Sequence, residues 1–416
     1  MNSLPRLLRA VGPLLALAAI HTSGYGVLFT LIGDYGEAYG LSESMLGLII
    51  ATGFITGFIA QVLIGPLGDR GHASKLIAIG ALANIVGLLA MGFGTTAAVI
   101  LGGRVISGLG LGAAAPAIRR AVIVSSDDDI GANLGALFSV EVFGFAIGPV
   151  ISAVLVGPLG IPGPFVAIAI LNLLVVGYVI ARVEITEATE PEPSRLAFDL
   201  LGQRPFAGAV MLGTGAFVMI GTFDVLWDVV HTELGTPDWM ANLGITLFAL
   251  PLVLLGPFAG KLAQRVGPFI VAAVGLVVAS LFMGAYGVLT SGVAIFWFSL
   301  GHALSDGLTF AASGVAVGMA VPEERQAGAQ GVLGGMQALG AGIAAVITGV
   351  IFENFGQQAA YWFGAGLVLA LTAGGVLLAG PALRMRDGDD PDGRPDQPLP
   401  HDTTIGPDDV ALTAGQ

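Results

Sequence analysis

The chain has 416 residues, 55% hydrophobic and only 11% charged, with a mean hydropathy of +0.87. A soluble domain carries about 25% charge, so a soluble enzyme, a nucleic-acid binder and a disulfide scaffold are excluded. There is no cysteine for a thiolate nucleophile or a metal, and the net charge of −13, with lysine only at Lys75 and Lys261, fits a high-salt habitat or a GC-rich genome equally.

Runs long enough to cross about 30 Å of hydrocarbon, roughly 20 residues each, occur at 11–32, 45–66, 76–95, 97–118, 131–156, 164–181, 206–230, 239–261, 268–289, 292–320, 328–351 and 359–379. Arg6 and Arg9 ahead of Val11–Ile20 imitate a signal peptide, but the apolar run continues past His21 to Ile32, a length that fits a first membrane helix. Threaded through these spans, every Lys and Arg except Arg104 falls on the side of the two termini, while the opposite side carries acids such as Glu37, Glu43, Glu233, Asp238 and Glu353. A wrong span count would scramble that asymmetry, so the positive-inside rule predicts twelve spans and cytoplasmic termini in a cell-membrane protein. A linker at 183–204, with Glu184, Glu187, Glu190, Glu192 and two prolines, divides the chain into six-helix halves at 1–182 and 205–383. The tail at 384–416 is rich in Asp, Pro and Gly and is predicted to be disordered.

The halves echo each other about 195 residues apart. Gly65-Pro66-Leu67-Gly68-Asp69-Arg70-Gly71 closes span 2, and Gly260-Lys261-Leu262-Ala263-Gln264-Arg265-Val266-Gly267 closes span 8. A repeated six-helix half is the architecture of transporters that rock two bundles around a central site. On these residues the sequence resembles the major facilitator superfamily over about 8–380. The loop after span 2 is similar to that family's motif A, matched at Gly65, Asp69 and Arg70 though not in its later basic pair. Span 4 is similar to motif B at Arg104, Ser107, Gly108, Gly110 and Gly112. Span 5 carries Gly144-Phe145-Ala146-Ile147-Gly148-Pro149, which resembles motif C of the drug:proton antiporters with its closing glycine pair replaced by Ser152 and Ala153. The resemblance implies an all-α membrane protein of twelve transmembrane helices in two pseudo-symmetric six-helix bundles.

Asp69, where a span ends, can cap the positive N-terminus of a neighbouring helix, worth about 0.3–1 kcal/mol. With Gly65, Arg70, Gln264 and Arg265 it reads as a conformational latch or as a plain turn with topology-setting arginines. Gly144, Gly148 and Pro149 read as a helix-packing motif, with or without a transport role.

Ionisable groups at mid-membrane cost roughly 2.5–3.5 kcal/mol each and so mark sites. Spans 1, 4, 7 and 10 carry His21, Arg104, Asp224 with Asp228, and His302 with Asp306, while the interiors of spans 3, 6, 9 and 12 carry none. In the family this chain resembles, the first set lines the cavity and the second faces lipid. His21, Arg104, Asp224, His302 and Asp306 are therefore the candidate cavity residues, and Arg104, Glu141 and Asp306 the candidate proton-coupling groups. At about 1.5 Å per residue, Arg104 lies roughly 21 Å and Glu141 roughly 15 Å from the cytoplasmic side, close enough for an ion pair that is either a proton switch or a permanent structural contact. His302 and Asp306, four apart, share a helix face and would bind substrate, relay a proton or simply hold helices together. Gln61, Asn84, Asn172 and Gln337 are expected to hydrogen-bond between helices, and Trp227, Trp239, Trp297 and Trp362 to form an interfacial belt.

No phosphate loop or HExxH motif is present. The expectation is a secondary transporter rather than an enzyme, a monomer in the lipid bilayer, with a small molecule and protons as partners and no cofactor, metal or nucleic acid. Proton-coupled efflux is the first reading; a proton-coupled importer and a non-transporting receptor or assembly factor of the same fold are the alternatives.

Overall fold

In the computed structural model, residues 11–125, 130–187 and 196–386 are described. The predicted tail beyond residue 386 and the middle of the linker lie outside them. Among the described residues, six helices precede the linker: α1 (Gly12–Tyr39), α2 (Glu43–Leu63), α3 (Ala73–Phe93), α4 (Ala97–Val124), α5 (Ile130–Leu159) and α6 (Pro162–Arg182). After it come α7 (Arg204–Glu233), α8 (Asp238–Val266), α9 (Pro268–Tyr286) and α10 (Gly292–Ala320). The helix Gln326–Ala379 reverses at Gly356, whose φ of 78° only glycine adopts easily, and so supplies the last two arms, α11 (326–355) and α12 (357–379). α2 and α8, α3 and α9, and α4 and α10 each begin 195 residues apart, so the repeat read in two loops runs through whole helices.

Local chemistry sets several ends. Ser42 and Ser291 cap α2 and α10 through the N–H groups of Met45 and Ala294. Gly40 at φ 66° stops α1. Each half packs its own core, one around Leu17, Leu28, Ile77 and Phe165, the other around Phe206, Phe269, Leu276 and Val368. A third cluster, of Phe223, Trp227, Tyr286, Phe296 and Tyr361, fills the C-terminal bundle away from the termini. The outer faces of α3, α6, α9 and α12 expose Ile79, Leu174, Leu281 and Leu377, the surface that a bilayer covers.

Two expectations change. α4 runs on to Val124 rather than stopping at 118, so Arg119 and Arg120 belong to the helix and not to a loop. The extension is tolerated because both guanidinium groups find partners inside the protein. Trp239, Trp297 and Trp362 are exposed near span ends, but Trp227 is buried, packed on Phe223 and His231, and is not part of a belt.

Candidate transport pathway and its seam

The bundles meet along two seams, both towards the end that carries the termini, here called the inner end. Along one, Gly131, Gly135 and Ser139 of α5 face Gly256, Gly260 and Gln264 of α8, so closely that a Cβ on any of these glycines would overlap the opposite helix. Along the other, the end of α2 and the turn Gly65–Arg70 face the start of α11 through Gly328, Gly331, Gly334 and Gly335. Phe138 of α5 stacks on Phe310 of α10 at 5.5 Å, adding an aromatic floor. Among the described residues, α1 and α7 at the outer end make no packing comparable to these seams. Among the described residues, the close packing between bundles is thus concentrated at the inner end.

Each seam is pinned by a side chain that caps the facing helix. Asp69 accepts the N–H of Ala327 at 2.8 Å and of Gly328 at 2.6 Å at the start of α11. Its repeat partner Gln264 accepts the N–H of Gly131 at 2.7 Å at the start of α5. These are orphan donors of helix N-termini, which attract an acceptor. The two caps differ in charge for a visible reason. Arg120 lies 3.3 Å from Asp69 and is buried, whereas the residue 195 positions on is the buried Val315, so a carboxylate at position 264 would have no guanidinium there. Gly65 packs beneath Pro116 of α4. Arg70 is half-buried, and Arg265 is exposed and makes none of the capping contacts.

The linker holds the same region. Glu187 takes the N–H groups of Ala73 at 2.9 Å and Ser74 at 2.8 Å at the start of α3. Arg120 donates to the Thr186 carbonyl at 2.6 Å. Burial alone would raise the Glu187 carboxyl, but the hydrogen bonds from Ser74 and Ala73, together with Arg120, hold it below the ordinary range. Farther on, Asp199 forms a two-point pair with Arg325, and Ala197 packs against Gly328.

The predicted Arg104–Glu141 pair does not form. Arg104 is 1% exposed and lies in a slot over Gly53, its guanidinium 4.1 Å from the centre of the Tyr25 ring, a cation–π contact. Its Nε and Nη2 have no hydrogen-bond partner among the described residues. Glu141 instead pairs with Arg119 at 3.4 Å, both side chains about one-fifth exposed, beside Gln61 and Gly334 at the α2–α11 seam. The physical reason is the longer α4. With its inner end at Val124, Arg104 sits about 30 Å from that end and Arg119 about 8 Å, so Arg119 is the guanidinium within reach of a glutamate about 16 Å along α5.

In the C-terminal bundle, His302 and Asp306 are brought together and sealed off. His302 Nε2 stands 3.4 Å from Asp306 Oδ2, with the two side chains 0% and 1% exposed. Its Nδ1 is 3.1 Å from the Tyr286 hydroxyl of α9. The imidazole stacks on Phe282 at 5.0 Å, and Phe223 and Phe248 turn edges towards it. Neither Asp306 oxygen receives a hydrogen bond among the described residues.

The other candidates scatter. His21 is buried beside Asn172. Asp224 is exposed on α7, and the side chain of Asp228 lies outside the described part. Gly144 and Gly148 seat α5 on α1, against Ala19 and Gly26, while Pro149 is exposed. Ser107 donates to Asn84 at 2.7 Å, tying α4 to α3.

Comparison with known proteins fits this geometry. The family profile described as Major Facilitator Superfamily matches residues 14–235 and 216–401. The chain belongs to the major facilitator superfamily. An uncharacterized transporter of this superfamily from Methanocaldococcus jannaschii is 21% identical over 264 residues, 60% of this chain and 68% of that protein. The quinolone resistance protein NorA of Staphylococcus aureus is 27% identical over 127 residues, 30% of this chain and 33% of its own length. Among solved structures, the human organic anion transporter MFSD10 superposes with a TM-score of 0.72 at 16% identity, covering 90% of this chain and 99% of that one. Membership makes this chain a membrane transporter of small molecules and not an enzyme. Tyr25, Arg119, Arg120 and Tyr286 had no sequence signal of their own as site residues; they emerge only from the packing of α1, α4 and α9.

Proposed function

We propose that this chain is a proton-coupled secondary transporter of the cell membrane that exports a small molecule by alternating access, working as a monomer with its termini in the cytoplasm. The observation that carries the reading is the Asp306 carboxyl, buried mid-bundle with no donor to either oxygen and a histidine at 3.4 Å. A carboxyl sealed in this way exchanges a proton with water only after a rearrangement of its surroundings, and alternating access supplies that rearrangement. Arg104, buried over Gly53 and held on Tyr25, is the cation that a shift of α1 or α2 would free for substrate. The latch residues Asp69 and Gln264 hold the inner seam shut, while the Arg119–Glu141 pair ties α4 to α5 within the N-terminal bundle beside it. Export rather than import is supported by the α1–α5 glycine packing of the motif C segment and by the partial similarity to the quinolone resistance protein.

Purified protein in liposomes with an imposed pH gradient tests the proposal, with a quinolone as first probe and a panel of organic cations and anions behind it. Gradient collapse on substrate addition, lost in Asp306→Asn, is the expected result. Substrate movement indifferent to the gradient would remove the proton from the mechanism.

A further inference from the structure

Each nitrogen of the His302 imidazole has a polar neighbour: Nδ1 hydrogen-bonds the Tyr286 hydroxyl at 3.1 Å, and Nε2 stands 3.4 Å from Asp306 Oδ2, a small adjustment away from a hydrogen bond. Asp306 can exist in two states, and each requires a different tautomer of the ring. When Asp306 is a carboxylate, Nε2 must carry the hydrogen and donate to it, leaving Nδ1 as an acceptor. When Asp306 is a carboxylic acid, its O–H points at an Nε2 lone pair, and the hydrogen must sit on Nδ1. Only a group that both donates and accepts serves Nδ1 in the two cases, and a hydroxyl does so by rotating about its C–O bond. Spans 7, 8 and 9 otherwise present Phe223, Phe248 and Phe282 to the ring. The titratable neighbours among the described groups are Tyr286 itself and Tyr361, whose ring centre is 5.5 Å from that of Tyr286.

We propose that Tyr286 is the positioning residue of proton uptake, its hydroxyl stabilising whichever His302 tautomer the state of Asp306 demands. Tyr286 ends α9, and Gln357 next to the outer loop donates to its carbonyl at 2.6 Å, so the three side chains form a line from the outer end inwards. Uptake is balanced along that line. Tyr286 is fully buried, so uptake awaits the opening of this packing; the hydroxyl then passes its proton to Nδ1 as it takes an incoming one, the Nε2–H bond breaks, and that proton bonds to Oδ2. One proton enters, Asp306 becomes the acid, and the imidazole ends neutral with its hydrogen moved from Nε2 to Nδ1.

This rests on Asp306 holding the coupled proton, and the test separates the two claims. The full chain labelled with 15N-histidine has five histidines, and the His302 signals are assigned by their loss in His302→Gln. Ring-nitrogen shifts then report the tautomer across a pH titration without any substrate. In wild type the His302 hydrogen is expected on Nε2 at high pH and on Nδ1 after uptake. In Tyr286→Phe the exchange should be lost, or its midpoint displaced by about one pH unit, a tenfold change in proton affinity, while Tyr361→Phe behaves as wild type. A wild-type tautomer that never changes, or one that changes identically in Tyr286→Phe, overturns the proposal. Should Tyr286→Phe not fold, 3-fluorotyrosine at position 286 keeps the volume and acidifies the hydroxyl; an unmoved midpoint overturns the proposal equally. Proton-coupled transport surviving in Asp306→Asn would instead overturn the functional reading.

Discussion

Replacing Asp69 by Asn should open the inner seam. In the closed state the carboxylate accepts two helix N–H groups, at 2.8 and 2.6 Å, and faces Arg120 at 3.3 Å. An asparagine offers one acceptor oxygen; its NH2 must then face either the second N–H or the guanidinium. The variant loses a charge-assisted bond and leaves a buried donor unmet, about 1–3 kcal/mol, and loses the charge–dipole attraction of the α11 terminus, about 0.5–1 kcal/mol. Both penalties vanish once the bundles part and water reaches Ala327 and Gly328, so they fall on the closed state alone. A total of about 3 kcal/mol shifts the equilibrium roughly 100-fold towards an open inner end. The chain has no cysteine, so spin labels at His72→Cys and Glu324→Cys report the inner opening without background. A longer distance component should appear in Asp69→Asn and be minor in the parent. Identical distance distributions would refute the capping argument.

Gln264→Ala removes one neutral cap and should shift the same distance by less, about 1 kcal/mol or fivefold. Gly260→Ala places a methyl against the Gly131 backbone and should favour the open inner end with little loss of folding stability. Gly148→Ala drives the same methyl into Gly26 within one bundle and should lower the thermal midpoint by the equivalent of about 1–3 kcal/mol. Glu187 is held below the ordinary glutamate range, so its clasp on α3 is complete above that range and lost only as pH falls through the depressed value. Linker protection from protease should therefore be flat between about pH 5 and 8 and reduced throughout in Glu187→Gln. Glu141→Gln should leave coupled flux within about fivefold of wild type, because a pair one-fifth exposed contributes only about 0–1 kcal/mol.

The fold was legible because hydrocarbon imposes length, and the positive-inside bias counts the crossings independently. The two helix caps were legible because Asp69 and Gln264 stand at equivalent places in a repeat. Depth arithmetic misled at Arg104, since the end of α4 was read from an arginine pair that the fold draws inside, where Asp69 neutralises one guanidinium, which also donates to the Thr186 carbonyl, and Glu141 neutralises the other. Tyr286 was hidden for a different reason. A tyrosine at a span end reads as an interfacial anchor, and only the packing of α9 on α10 turns its hydroxyl inward to His302. Pairings across helices depend on rotation about each helix axis, which near-uniform apolarity does not encode.

The most direct measurement is substrate-driven collapse of a pH gradient by Asp306→Asn in liposomes, alongside gradient-independent substrate exchange in the same vesicles. Exchange should persist at a rate close to that of the parent while gradient collapse is lost, because the variant can still alternate but no longer releases a proton. Gradient collapse at the parental rate would place the coupled proton elsewhere and contradict the account.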